Sequence, residues 1–232
     1  MAEKGDVVEQ PRDLAERVRW WIVTGLQIIM IAGLVLALIE RHWFDALLIT
    51  GIIAVMYATA TFERRFHIYI PPEFELMALI FVYASLFLGE VRDYYVRFWW
   101  WDLALHSLSG LLLGTFGFLL VYLLNEDDRV DLHMRPRFVA LFAFLFAVAC
   151  GALWEIFEFA MDRMAGLTMQ KPMLDDPSGL TDTMWDLIVD SLGAMTIALI
   201  GWRYMETGRR SFVDRLVRKF IARNPGLFQR RS

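Results

Sequence analysis

Asp102 and His106 stand four residues apart at the head of a long apolar run, in the stretch WDLALHSLSG (101–110). On a helix that spacing places both side chains on one face, a turn apart. A histidine oriented by a carboxylate is a candidate general acid or base. Two later apolar runs carry acids at the same kind of spacing: Glu155, Glu158 and Asp162 in one, and Asp182, Asp186 and Asp190 in the other. If the three runs meet, their carboxylates form a set of oxygen ligands. Such a set favours a hard divalent ion such as Mg²⁺, Ca²⁺ or Mn²⁺, and one imidazole among carboxylates also admits zinc or iron. The expected roles are His106 and Asp102 as the catalytic pair, with Glu155, Glu158, Asp162, Asp182, Asp186 and Asp190 holding the metal. The spacing departs from the di-iron bundle signature, which needs Glu-x-x-His on two helices.

Each of these runs changes from ionisable to small residues along one stripe. Asp102 and His106 are followed by Gly110 and Gly114; Ala147 and Gly151 precede Glu155; Ala194 and Ala198 follow Asp190. Small residues let membrane helices approach closely, so three such seams facing each other would bring the acids together too. At 1.5 Å per residue Asp190 lies about 12 Å below Asp182 along its helix. A charge at the centre of a bilayer costs at least roughly 2.5–3.5 kcal/mol on insertion scales, so these acids call for a cation, protons or water. His106, Arg92, Arg97, Arg163 and Lys171 are the bases at hand.

The elements that must carry this pattern follow from composition. Of 232 residues, 57% are hydrophobic and 15% aromatic, and the mean hydropathy is +0.44, which places the chain in the membrane class. Six runs reach the roughly 20 apolar residues that a spanning helix needs: 20–40, 43–62, 72–90, 103–125, 137–161 and 183–203. The expected fold is an all-α, polytopic bundle of six transmembrane helices. It comprises an N-terminal tail (1–19), a transmembrane domain (20–203) with its polar site in 100–194, and a basic amphipathic tail (204–232). In the tail, SFVDRLVRKFIAR sets Phe212, Leu216, Phe220 and Ile221 on one face among bases, the pattern of a helix lying on an anionic leaflet. The first run is too long for a signal-peptide core and reads as a retained anchor. The single Cys150 forms no internal disulfide and reads as apolar filler.

Lysine and arginine in short loops stay cytoplasmic. Eighteen fall on the side of both termini and five on the other, so both termini are expected in the cytoplasm. The opposite face holds thirteen acids against five bases, a field that attracts cations. No basic surface interleaved with aromatics suggests nucleic acid. His42, His67 and His133 sit at helix ends or in a loop and read as interfacial polar residues. Ser107 and Ser109 flank His106 without the pattern of a triad, and no nucleophile-elbow, Walker or dinucleotide motif is present.

The segments WWDLALH, WEIFEFAMD (154–162), MQ (169–170) and DTMWDLIVDSLGA (182–194) resemble the YjdF-type family of uncharacterised multi-pass bacterial inner-membrane proteins. The resemblance covers about 100–200 of this sequence. The acid-x-x-x-His opening is more faintly similar to VanZ-like proteins. Neither resemblance implies a reaction; the first implies a bacterial inner-membrane address. The expected function is an outward-facing acid and histidine cluster that binds a divalent metal and acts on an outer-leaflet lipid or lipid-linked substrate, with 163–181 as a lid. A proton- or cation-coupled transporter and a structural subunit with a protonated carboxylate network are the alternatives. A conduction path should carry polar groups through the midplane, whereas the inner halves of the last three runs are uncharged. Membrane lipids are the expected partners, and the oligomeric state is left open.

Overall fold

The computed structural model describes residues 14–66, 69–126, 134–207, 218–220 and 222–224. Regular structure among them is helical, apart from one isolated bridge between Met173 and Asp176. The elements are α1 (Leu14–Ile39), α2 (Trp43–Phe66), α3 (Pro72–Val82), which continues as π-helical turns over Tyr83–Val91, the short α4 (Tyr94–Arg97), α5 (Trp101–Glu126), α6 (Pro136–Ala165) and α7 (Leu180–Thr207). Sequence signals mark their ends. Pro72 and Pro136 sit in first turns, where a missing N–H costs no helical hydrogen bond. Gly166 closes α6 in the left-handed conformation with φ 65°.

Five helices are long and apolar enough to cross a membrane: Arg17–Ile39, Pro72–Val91, Trp101–Tyr122, Pro136–Ala165 and Leu180–Thr207. The sixth expected span is α2, whose apolar part, Trp43–Ala58, is shorter. The chain is an all-α, multi-pass membrane bundle, and each expected run falls on one helix. Its third span differs from expectation in its hydrogen bonding. The Arg92 N–H reaches back five residues to the Phe87 carbonyl at 3.0 Å, widening the turn.

The helices pack as two groups. In the first, α1, α2 and the α3 span share a core of Met30, Ile49, Ile52, Leu79 and Phe87. Arg19 of α1 pairs there with the buried Glu75 of α3. In the second, α5, α6 and α7 pack on one another more extensively than any other elements do. One end of that trio is a dry core of Phe118, Val121, Val139 and Ala143. The other end holds the acids.

Most of the N-terminal tail, the loop 127–133, His67, His133 and most of the basic tail lie outside the described residues. Of the tail, Asn224 accepts from Tyr69 N at 2.7 Å and donates to Tyr69 O at 2.9 Å. Lys219 reaches Glu73 at 2.9 Å. His42 is an exposed helix-end residue, 3.5 Å from Asp45.

Candidate metal centre

His106 sits at the focus of four carboxylates drawn from three helices. Its Nε2 is 3.7 Å from Asp102 Oδ1, 3.7 Å from Glu155 Oε1 and 3.9 Å from Asp186 Oδ2. Its Nδ1 is 3.2 Å from Asp190 Oδ2, within hydrogen-bond reach. The cluster is buried: His106 is 7% exposed, Glu155 4% and Asp186 0%. Neither oxygen of Asp186 nor either oxygen of Glu155 has a hydrogen-bond partner among the described residues. Asp102, His106 and Asp186 offer ligand atoms that all lie within 4.8 Å of one another.

Glycines bring the helices this close. A methyl group at Gly110 of α5 would collide with the backbone carbonyl of Asp190 and lie 3.0 Å from its Cα. One at Gly193 of α7 would meet the Ser107 carbonyl and lie 3.0 Å from Leu111 N. At Gly151 of α6 it would fall 2.6 Å from Asp190 Oδ2, so this glycine makes room for a carboxylate. The seam expected through Gly110, Gly114, Gly151 and Ala194 is therefore real, with Gly193 an added member. Asp190 is held on its other side by the Ser109 hydroxyl, which also lies 3.0 Å from the His106 carbonyl. Sequence reasoning noted Ser109 only as a neighbour of His106, because nothing in one chain shows that it faces α7.

The remaining expected ligands do not pair with His106: Glu158 and Asp182 flank the cluster, and Asp162 lies by the loop. Glu158 is buried and accepts the Trp154 indole N–H at 2.8 Å. Asp162 accepts the Met169 and Gln170 N–H groups at 2.7 and 3.0 Å, and so ties down the chain after α6. Asp182, 1% exposed, accepts the Lys171 N–H at 2.6 Å through Oδ2, while its Oδ1 is buried without a hydrogen bond. The expected compensation by arginines and lysine takes another form. Arg97 lies 3.6 Å from Asp93, Lys171 lies 3.9 Å from Glu90, and Arg163 stacks over Phe159. Among the described residues of the α5–α7 trio, His106 is the one basic side chain paired with the trio's buried acids.

The loop 166–179 is built rather than slack. Leu174 and Asp175 both have positive φ, at 50° and 63°, making the tight turn between Met173 and Asp176. The Asp176 carboxylate is held below its usual range by hydrogen bonds from Ser178, side chain and backbone, and from Thr181. Gln170 donates to the Thr183 hydroxyl at 2.8 Å. A residue that the sequence reading missed, Tyr95, lies at the rim. Burial pushes its phenol up, and the charges of Asp102, Glu90, Glu158 and Asp186 push it further, so it stays a neutral hydroxyl. Its ring packs on Gly89 in the π turns, where a methyl group would collide with it and lie 2.7 Å from Cζ. Within those turns the Ala84 carbonyl accepts the Trp101 indole N–H at 3.3 Å.

A family model described as "Predicted membrane protein (DUF2238)" matches residues 22–207, which take in all the spans and the whole cluster. The chain belongs to this family. The description goes as far as a membrane protein; it names neither the YjdF-type nor the VanZ-like proteins. A protein of Thermotoga maritima described as "Uncharacterized protein" is 31% identical over 153 residues, covering 66% of this chain and 73% of the relative. No solved structure matches the chain.

Proposed function

We propose that the cluster is a divalent-metal centre at the outer face of the bacterial inner membrane, acting on a lipid or lipid-linked headgroup. The observation that carries this reading is the spacing around His106 Nε2. Three carboxylate oxygens stand 3.7, 3.7 and 3.9 Å from it. That is too far for a hydrogen bond to any of them. It suits ligands that share one ion: Asp102, His106 and Asp186 offer atoms that all lie within 4.8 Å of one another, and Glu155 stands beside them.

The far side of the ring supports the same reading. A proton on Nδ1 donated to Asp190 leaves the Nε2 lone pair facing three carboxylates, an arrangement that repels unless Nε2 is protonated too or a cation stands between them. Carboxylate–histidine–metal relays have this form, the outer acid fixing the tautomer and the angle of the ring. Asp102, His106 and Asp186 would then hold the ion with Glu155 beside them, Asp190 would orient the imidazole, and a metal bound there would supply Lewis acidity and an activated water. Tyr95 contributes a neutral hydroxyl at the rim. A one-sided site over the dry core of Phe118, Val121, Val139 and Ala143 suits binding or catalysis better than passage through the membrane.

Elemental mass spectrometry of protein purified in detergent without chelators tests the centre. Near-stoichiometric divalent metal is expected in the wild type and in Asp162→Asn, and its loss in Asp186→Asn and His106→Gln variants that elute as the wild type does. Absence of metal from the wild type, even after ions are added back, would leave His106 as the buried counter-charge of a structural network.

A further inference from the structure

A groove of about 460 Å³ opens between α6 and α7 beside the cluster. Ala152, Ile156 and Leu187 line it with apolar surface, and Arg163, Gln170, Ser178 and Thr183 with polar groups; Glu155 belongs to its lining too. Ile156 and Phe159 are exposed on the same flank, as lipid-facing residues are. The groove therefore joins an apolar, membrane-facing side to a carboxylate that is 3.7 Å from His106 Nε2.

Resting on the metal-centre reading, we infer that this groove is a lateral portal for a membrane lipid whose headgroup carries a phosphate. Charge complementarity selects the occupant. Arg163 has no acidic partner among the described residues; its guanidinium lies over the Phe159 ring, 5.3 Å from the centroid. An arginine in this position can bind a phosphate with two parallel hydrogen bonds. Gln170 and Thr183, already joined at 2.8 Å, place an amide and a hydroxyl on the same wall. A phosphate gripped there presents its other oxygens toward Glu155 and the ion, while the acyl chain follows Ile156 and Leu187 into the bilayer. Loop geometry keeps the polar wall in place: Gly179, at φ 80°, lies where a methyl group would be 2.7 Å from Gln170 Cβ, so the loop closes tightly on that side chain.

The test is binding of a fluorescent phosphatidic acid to the detergent-purified full-length protein, with the matching diacylglycerol and inorganic phosphate as probes of each half of the ligand. Saturable binding of phosphatidic acid is expected. Loss of the guanidinium in Arg163→Gln should weaken it about tenfold to a hundredfold, the worth of hydrogen bonds to a charged group. Ala152→Phe, which fills the apolar end without touching the arginine, should weaken phosphatidic acid as well. Diacylglycerol should bind weakly to both wild type and variants, and millimolar inorganic phosphate should compete poorly. Unchanged phosphatidic acid binding in both variants, or inorganic phosphate competing as well as the lipid, overturns the portal. Repeating the titration on protein stripped with a chelator separates the two readings. Arg163-dependent binding to a protein that never holds metal keeps the portal and sinks the metal centre. Stoichiometric metal with no Arg163-dependent binding does the reverse.

Discussion

Among single residues, Asp190 has the most particular position in the cluster. It touches His106 Nδ1, the Ser109 hydroxyl and the space left by Gly151, and lies on the far side of the ring from the three other carboxylates. Its work is to aim the imidazole. Asp190→Asn keeps the shape and removes the charge, so a folded variant is expected whose metal affinity drops about 10–100-fold, the usual cost of losing such an outer partner. Calorimetric metal titration of wild type, Asp190→Asn and Asp186→Asn separates the roles: a weakened but saturable isotherm in the first variant, none in the second. Equal loss in both would make Asp190 a ligand instead. All five members of the cluster stood out in the sequence because helical spacing fixes which acids share a face, but the same spacing also put Glu158, Asp162 and Asp182 among the ligands. The division of labour was not legible, since Asp162 and Asp190 carry the same chemistry and differ only in what the neighbouring loop or helix presents to them.

At the scale of elements, close approach of α5 and α7 is what turns three stripes of acids into one site. Gly110 and Gly193 meet backbone, which cannot move aside as a flexible side chain can. Gly110→Ala is therefore expected to destabilise the bundle by about 1–3 kcal/mol, as overpacking does, and to lower metal content with it. Gly25 and Gly51 offer the contrast, because a methyl group there meets nothing within 4 Å. Gly25→Ala should be neutral or stabilise its helix by up to about 1 kcal/mol through the helix preference of alanine. Thermal unfolding of the two variants in detergent checks the ranking; a Gly110→Ala protein as stable as Gly25→Ala would mean that α5 and α7 do not touch there. Helix existence and the small-residue seam were legible from apolar length and spacing. The π turns after Val82 were not, because they depend on a tertiary fact, the Tyr95 ring packed on Gly89, for which the local pattern YASLFLGEV carries no sign.

For the molecule as a whole, the asymmetry of charge bears on which side of the membrane the cluster faces. The trio α5–α7 is polar at one end and closed by aromatic and aliphatic packing at the other, so the site can be reached from one side only. If α2 crosses along with the five longer helices, both termini share a side, and the eighteen lysines and arginines there make the cytoplasm the expected side. On the proposed orientation the cluster would face outward, where thirteen acids would draw cations toward it. Leu174, 75% exposed at the tip of the loop beside the site, is a suitable reporter. In a Cys150→Ala background, Leu174→Cys is expected to react with a membrane-impermeant maleimide in intact cells, whereas a cysteine placed at Ser232 should react only after lysis. The converse pattern would turn the molecule over. It would leave the ligand geometry untouched but move the groove at Arg163 to the inner leaflet, so that the lipid would have to come from the cytoplasmic side.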